Sequence, residues 1–376
     1  MRVVLIGPIY PYRGGIAHYT TMLCRTLRDR GHRVLMVSFK RQYPQWLFPG
    51  RSDRDPSQRP LGAGNAQYWI DPLNPFTWLT TFSRIASFDP DRIVLQWWTT
   101  FWAPVWCVLG LLNRVFLGCP LIYLCHNVLP HERHVWDSTL TRLALHWGTH
   151  FVVQSSEEKR RLQAVTSIAA IDIVPHPVYD MFAGEAMGKE EARAQLELPY
   201  DVPVLLFFGI VREYKGLRDL LAALPRIHSR LGEATLVVAG EFWEDKADYE
   251  KTIHQLGVTE LVRLEDRYIP NEQVPVFFSA ADVLIAPYRQ ATGSGTVQLA
   301  LGCGCPVITT PVGDLDQVIE EGITGIITKP ADSEALAEDV IRFFEDSQGC
   351  LRRYPGPAGR TAPGWQQLAA AIEEPD

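Results

Sequence analysis

The chain has 376 residues, of which 47% are hydrophobic and 21% are charged, and its formal net charge is -7. This length suits two domains of ordinary size, and this composition excludes an intrinsically disordered chain. The acidic balance argues against a dedicated nucleic-acid binder, which is usually basic.

The first half of the sequence alternates short apolar runs with segments of helical period, which is typical of a parallel sheet wound by helices. The run at 3–6 predicts a first strand rather than a secretory signal. Apolar residues at helical spacing from Ile16 to Leu27 predict the first helix, and Gly31 ends it. Further buried strands are predicted at 34–39, 93–95, 121–125, 151–153 and 171–174.

Two stretches of the first half do not fit this simple pattern. Residues 41–65 are rich in proline, glycine and arginine, and we expect a long functional loop there. Residues 101–123 are apolar, but an asparagine, an arginine and a proline interrupt them, which argues against a clean transmembrane helix. Together with the tryptophans between 97 and 106, this stretch fits either contact with a bilayer interface or a buried helix of the first domain.

The second half restarts the pattern, with strands predicted at 204–208, 236–239, 262–264, 283–286, 307–309 and 325–327. We expect the charged stretch 183–203 to contain the crossing between the halves. The sequence thus predicts an α/β protein of two Rossmann-like domains facing each other across a cleft. The predicted domains are 1–180 and 181–350, followed by a tail, 351–376, whose helix packs back on the body.

Cysteines and arginines bear on metal binding and location. The seven cysteines lack the paired spacing of a zinc site or a disulfide framework, so we expect a protein of the reducing cytosol without a bound metal. Arginines cluster between Arg25 and Arg33, which fits a solvated helix face or contact with an anionic membrane surface.

Adjacent glycines, Gly14 and Gly15, stand at the start of the first helix. Without side chains they let backbone amides approach a phosphate or a sugar, although a tight structural turn would also use them. The segment is not G-x-G-x-x-G and no acidic residue ends the second strand, which argues against a classical nicotinamide site.

In the second half, the strand at 204–208 leads to a loop that carries Arg212 and Lys215 ahead of a helix. Two cations beside a helix start suit a diphosphate, because they offset the charge that grows on a leaving group. A solvated loop with surface cations is the alternative interpretation.

A second loop of this half lies between a strand and an apolar helix. It contains a glycine-serine turn made of Gly293, Ser294, Gly295 and Thr296. The successive backbone amides of such a turn suit an anion. Gln298, just inside the helix, is expected to hydrogen-bond ribose hydroxyls.

His126 and Asn127 directly follow the strand at 121–125 and are expected to point into the cleft, although a lone histidine is often structural. The same segment continues to His131 and Glu132. His176, near the predicted crossing, favours a hinge or structural role.

Together these segments resemble glycosyltransferase family four, which has the GT-B fold. The loop from Arg212 to Gly216 is similar to the family's diphosphate loop, and Asp282 to Ile308 is similar to its donor-binding block. The glycine loop ending at Gly15 and the segment at Cys125–Asn127 resemble the family's glycine loop and sugar-side histidine.

The resemblance implies retaining transfer of a sugar from a nucleotide-diphosphate sugar, without a cofactor or an obligatory metal. It assigns the diphosphate to Arg212, Lys215 and Gly15, the transferred sugar to His126, and the base pocket to Tyr268 and Ile269. It implies a glycan or lipid-linked acceptor in cell-surface polysaccharide or lipopolysaccharide synthesis. The location would be cytoplasmic, with peripheral membrane contact.

The sequence departs from the family's common pattern in the donor block. Two glutamates often stand there eight positions apart, whereas this chain has Ala291 at the first position and Gln298 or Leu299 at the second. It looks like the branches that carry a Ser-Gly turn instead. A nucleotide-sugar epimerase of GT-B fold and a non-catalytic glycosyltransferase-like subunit therefore stay open as alternatives.

Overall fold

The structure is a computed structural model that describes residues 1–130, 134–166, 170–185, 187–345 and 364–374. Two compact units make up the chain, each with its own parallel sheet. Unit 1 comprises Met1–Asp55, Pro60–Pro175 and Pro363–Asp376, and unit 2 comprises Pro56–Arg59 and His176–Ala362. The prediction of an α/β protein with two Rossmann-like domains is confirmed.

Unit 1 is built on a seven-stranded parallel sheet in the order β3-β2-β1-β4-β5-β6-β7. Most of these strands are short apolar runs that the sheet buries, as parallel sheets covered by helices require. Their bounds are β1 Arg2–Ile6, β2 Arg33–Phe39, β3 Gln67–Ile70, β4 Arg92–Trp97, β5 Leu121–Cys125, β6 His150–Val153 and β7 Ile171–Ile173.

Six α-helices of unit 1 are described, five of which follow or connect these strands and one of which comes from the C-terminus. They are α1 Gly15–Asp29, α2 Pro75–Phe88, α3 Ala103–Leu112, α4 Asp137–Leu145, α5 Ser156–Val165 and, numbered last because it ends the chain, α13 Gly364–Glu373. Trp365 of this terminal helix packs its ring 5.2 Å from that of Tyr19 on α1. Residues 346–363, which hold the first half of the predicted tail, lie outside the described residues, as do His131 and Glu132.

Unit 2 has a six-stranded parallel sheet in the order β10-β9-β8-β11-β12-β13. The strands are β8 Val204–Phe208, β9 Thr235–Ala239, β10 Val262–Glu265, β11 Val283–Ala286, β12 Val307–Thr309 and β13 Gly325–Ile327. The helices are α6 Lys189–Gln195, α7 Leu217–Leu231, α8 Lys246–Gln255, α9 Val274–Ala280, α10 Gly295–Gly302, α11 Leu315–Val318 and α12 Ser333–Glu345.

Strand order determines where each unit can bind a ligand. In unit 2 the chain winds outward in both directions from the β8–β11 pair, and in unit 1 it does so from β1 and β4. Ligands of open parallel sheets bind beyond the carboxyl ends of the strands at such a switch point. The loops after β8 and β11 are the loops in which the sequence places the cations and the glycine-serine turn.

The structure corrects the predicted crossing between the halves. The stretch 183–203 belongs to unit 2, and the chain passes between the units at Pro175–His176. Within this stretch the Arg193 guanidinium on α6 is buried, with Nη2 2.8 Å from an Asp282 oxygen and Nε donating to the Ala280 carbonyl. The buried charge of Arg193 therefore anchors α6 to the body of unit 2, and the stretch is not a solvent-exposed linker.

The apolar stretch near 101–123 proves to be a core helix in its first half only. Trp102 and Trp106 are fully buried, and the Trp102 ring stacks 4.1 Å from that of Phe39. The run continues through a π-helical turn at Asn113–Leu117, where Val115 and Phe116 are exposed. By length and composition alone, the helical run Thr100–Leu117 is long and apolar enough to cross a membrane.

Candidate functional site

The loop after β8 is held against the loop after β11 by close backbone packing. Gly216 has a φ of +73°, and a Cβ built on it would lie 2.0 Å from the carbonyl oxygen of Pro287. Only glycine fits this position, because the left-handed conformation and the contact both exclude a side chain. The short helical turn Glu213–Lys215 is thereby fixed next to the residues that follow β11.

An ion pair and a backbone hydrogen bond strengthen the same junction. Arg289, after β11, contacts the Asp219 carboxylate on α7 with two hydrogen bonds of 2.8 and 2.7 Å. Its backbone N–H donates to the carbonyl of Tyr214 over 2.7 Å. The bond to Asp219 raises the pKa of the Arg289 guanidinium. Two loops distant in sequence are therefore joined at the switch point.

The glycine-serine turn caps the start of α10. The Ser294 hydroxyl accepts a hydrogen bond from the Val297 amide over 3.2 Å and donates to the Tyr288 hydroxyl over 3.2 Å. This is the bonding of an N-cap serine, so its side chain is engaged within the protein. Gly293, Gly295 and Thr296 are only partly buried, and the amides at the helix start remain the anion-binding feature of the turn.

Lys215 and the glycine-serine turn converge on the space above Gly209, by which we mean the position that a Cβ on this residue would occupy. A Cβ built on Gly209, whose φ is +95°, would lie 3.1 Å from Thr296 Oγ1 and 3.2 Å from Lys215 Nζ. The ammonium of Lys215 also lies 5.8 Å from the centre of the Tyr288 ring. Among the described residues no carboxylate pairs with Lys215. A half-buried cation, a hydroxyl and a helix start thus surround a side-chain-free space that suits a phosphate group.

The other predicted residues of unit 2 come after strands of the same sheet and are buried to different extents. Arg212 is half-buried, with its guanidinium 5.4 Å from the Trp243 ring. Gln298 is only 1% exposed, so its side chain lies behind the turn, inside the unit. Tyr268 and Ile269 follow β10; Tyr268 is partly exposed and Ile269 is buried.

In unit 1 the predicted glycines begin α1. Gly14 is its N-cap residue, with a φ of +106° and no side-chain cap. Nothing lies within 4 Å of a Cβ built on Gly14 or on Gly15. Because α1 runs for 15 residues, its N-terminus carries a full helix dipole. The geometry therefore fits the predicted approach of backbone amides to an anion or a sugar.

His126 directly follows β5 and is nearly buried, inside a network of amide side chains. Its Nε2 donates to Gln96 Oε1 over 2.5 Å, and Gln154 Nε2 donates to its Nδ1 over 3.5 Å. The Tyr19 ring lies edge-on to the imidazole at 4.7 Å. The Gln96 oxygen and the Gln154 nitrogen beside the ring fit a neutral imidazole that carries its proton on Nε2. Asn127 follows at a partly buried position.

Sequence reasoning missed four residues that shape these sites. Gly209 and Tyr288 lie in the loops that follow β8 and β11, and their roles depend on the contact between these two loops. Gln96 and Gln154 do carry a signal, because each is a polar residue at the end of an apolar strand of unit 1. The described residues contain no cluster of three or more His, Cys, Asp or Glu side chains that could hold a metal ion.

Two family models match the chain. A model described as "Glycosyl transferase 4-like domain" matches residues 14–178, and one described as "Glycosyl transferases group 1" matches residues 202–346. Sucrose-phosphate synthase from Thermosynechococcus elongatus superposes with a TM-score of 0.73 at 20% identity, over 99% of this chain and 97% of that one. HepE of Anabaena, in complex with UDP and glucose, superposes with a TM-score of 0.69 at 18% identity, over 99% and 95%.

The two doubly wound units are therefore those of the GT-B fold. The chain belongs to glycosyltransferase family four. D-inositol 3-phosphate glycosyltransferase 1 of Catenulispora acidiphila is 31% identical over 204 residues, which are 52% of this chain and 49% of that protein. The match thus spans about half the length of this relative.

Proposed function

We propose that the chain is a retaining glycosyltransferase that moves a sugar from a nucleotide-diphosphate sugar to an acceptor hydroxyl. The observation that carries the proposal is the convergence of Lys215 and Thr296 on the space above Gly209, at the switch point of unit 2. A solved structure of the same fold, HepE, is described in complex with UDP and glucose. A diphosphate is the ligand that best suits a cation next to a helix start.

The proposed reaction is a front-face displacement. The acceptor oxygen attacks the anomeric carbon, and the bond from that carbon to the diphosphate oxygen breaks with its electron pair on the diphosphate. The acceptor's proton passes to the departing diphosphate, so no protein base is needed. Lys215, Arg212 and the amides of residues 293–296 offset the charge that grows on the leaving group. His126, fixed by its amide partners, contacts the transferred sugar.

The acceptor follows from the resemblance and is part of the proposal. We assign a glycan or lipid-linked acceptor, in cell-surface polysaccharide or lipopolysaccharide synthesis. The relative from Catenulispora acidiphila, of which the match covers about half, is named as a D-inositol 3-phosphate glycosyltransferase. A small phosphorylated polyol is therefore a second acceptor to assay. The described cysteines are all free thiols, which supports a location in the reducing cytosol.

Replacing Lys215 by alanine tests the proposal. Loss of one preorganised donor to a leaving group costs roughly 3 kcal/mol of barrier, so turnover should fall by about a hundredfold or more. The measurement is release of nucleoside diphosphate from UDP- and GDP-sugars, with and without acceptor. Lys251→Ala, which removes an exposed lysine from α8 of the same unit, is the matched control and should keep full activity.

The outcome also separates the alternatives. Near-normal turnover in Lys215→Ala would refute the assignment of the site. Isomerised sugar without free diphosphate would indicate an epimerase. Nucleotide binding that depends on Lys215, without any turnover, would indicate the non-catalytic subunit. The missing carboxylates at Ala291 and at Gln298 or Leu299 leave this alternative open.

A further inference from the structure

A buried carboxylate holds the segment that follows β5, two residues after His126. Glu158, on α5, is fully buried, and its Oε2 accepts a hydrogen bond from the backbone N–H of Val128 over 2.6 Å. Its other oxygen, Oε1, accepts a hydrogen bond from Arg161 Nη1 over 2.7 Å. Hydrogen bonds to an ionised carboxylate are shorter and stronger than those between neutral groups. The carboxylate therefore fixes the position of the Val128 amide closely.

The same short segment is tied to β4 at two more points. The indole Nε1 of Trp97, the last residue of β4, donates to the carbonyl of Val128 over 3.1 Å. The backbone N–H of His126 donates to the carbonyl of Trp97 over 2.9 Å. Trp97 and Val128 are both buried. Both polar groups of the Val128 backbone are thus bound by buried side chains, one from β4 and one from α5.

The position of Glu158 on its own helix is also fixed. Ser155 is the N-cap residue of α5, and its hydroxyl accepts a hydrogen bond from the backbone N–H of Glu158 over 3.2 Å. A glutamate three residues after an N-cap serine commonly turns back to the serine amide and completes a capping box. Here the carboxylate binds the Val128 amide and Arg161 instead. This carboxylate therefore serves the neighbouring loop.

Stability alone does not account for a carboxylate at this place. Burial raises the pKa of Glu158, because the charged form loses its hydration. Replacing a buried ion pair by apolar side chains is often neutral or stabilising, so such a pair is weak evidence for a stabilising role. What an apolar side chain could not supply is a directed bond to one particular amide. That amide lies two residues after His126, whose two ring nitrogens contact Gln96 and Gln154.

We propose that Glu158 is a positioning residue for His126 in the transfer reaction. It acts through the backbone of Val128, which is held between the Glu158 carboxylate and the Trp97 indole. With this backbone fixed, the imidazole keeps its hydrogen bond to Gln96 and one orientation. The inference rests on the proposed function, in which His126 contacts the transferred sugar. Glu158 orients the histidine in this role and exchanges no proton.

The first readout is ¹⁵N NMR of the histidine rings, which does not require turnover. In Glu158→Ala the Val128 amide loses its acceptor. We expect the ring signals of His126 to move from those of one Nε2–H tautomer toward the average of two tautomers. Asp172→Ala is the matched control, because it removes a carboxylate that lies 2.8 Å from the His150 ring in the same unit. It should shift the signals of His150 and leave those of His126 unchanged.

The second readout is turnover of the UDP- or GDP-sugar that the parent chain uses. Glu158→Ala should lower kcat at least tenfold. The donor KM and the Kd for the nucleoside diphosphate should change less than threefold, because the proposed diphosphate site lies in unit 2. Glu158→Gln keeps an acceptor oxygen at the same reach and should retain at least a third of the parent kcat. Glu158→Asp keeps the charge but is one methylene shorter, so it should lose more than Glu158→Gln.

These variants give outcomes that decide the matter. Parental His126 signals in Glu158→Ala, or the same change of these signals in Asp172→Ala, overturn the proposal. Higher turnover in Glu158→Asp than in Glu158→Gln also overturns it, because charge rather than reach would then matter. If Glu158→Ala fails to fold, the glutamine and aspartate variants decide by both readouts. A parent chain that releases no diphosphate refutes the proposed function, whereas the NMR comparison still decides whether Glu158 positions His126.

Discussion

Replacing Gly209 by alanine tests whether the space above it is where a phosphate binds. The new methyl group would lie 3.1 Å from Thr296 Oγ1 and 3.2 Å from Lys215 Nζ, closer than most real Cβ contacts. It would therefore occupy the point toward which the lysine and the turn converge, without removing either of them. In this respect the variant differs from Lys215→Ala, which deletes a charge.

The expected effects on stability and on binding can be estimated separately. Alanine at a φ of +95° costs roughly 1–2 kcal/mol, which lowers the Tm by about 2–8 °C for a unit of this size. A hydrogen bond to a charged group contributes roughly 1.5–3 kcal/mol. Displacing one such contact to a diphosphate should weaken binding by roughly 10- to 150-fold.

The assay is calorimetric titration with UDP and GDP, accompanied by thermal unfolding. Gly257→Ala is the matched control, since Gly257 has a φ of +67° and nothing lies within 4 Å of its built Cβ. This control should lose comparable stability and bind nucleotide normally. If Gly209→Ala binds nucleotide as tightly as the parent chain, the space above Gly209 is not the phosphate site.

Two more predictions concern unit 1. Gln96→Glu places a carboxylate against His126 and should convert its ring from the neutral Nε2–H tautomer to the charged imidazolium at pH 7. ¹⁵N NMR of the histidines measures the protonation of the ring. A charged ring in the parent chain would contradict the assigned tautomer. Hydrogen bonding to Arg30 lowers the pKa of Glu373 to about 2, so its stabilisation of α13 should be complete above pH 4.5 and disappear as pH falls toward 2. Glu373→Gln should cost about 1–3 kcal/mol at pH 7 and speed amide exchange in α13, and unaltered exchange would refute the docking role.

Much of the fold could be predicted because most strands are continuous apolar runs, such as Val204–Phe208 and Leu121–Cys125. The strand Gln67–Ile70 was missed because it lies at the sheet edge and buries only Ile70, so it lacks an apolar run. The crossing between the halves was predicted in the wrong place because the charged stretch 183–203 was taken to be solvent-exposed. Its Arg193 is instead buried in an ion pair with Asp282.

The candidate site was predictable only one loop at a time. Cations next to a glycine in the first loop and glycines around a serine in the second indicate anion binding in each loop separately, and the sequence therefore pointed to Lys215 and to residues 293–296. It did not show that the Ser294 hydroxyl is used as a cap for the Val297 amide, nor that it bonds Tyr288, six residues earlier in the same loop. Nor did it show the burial of Gln298, which depends on how α10 packs.

Each unit is assembled from separate segments of the chain, so neither unit is one continuous stretch of sequence. Residues 56–59 of the first half belong to unit 2, where the Ser57 hydroxyl accepts a hydrogen bond from the Asn271 amide over 2.8 Å. The terminal helix in turn belongs to unit 1, where Trp365 supports Tyr19, whose ring lies against His126. Cutting the gene between codons 175 and 176 would yield two incomplete products. Deleting the terminal helix would remove the ring that packs against Tyr19, which in turn contacts the histidine.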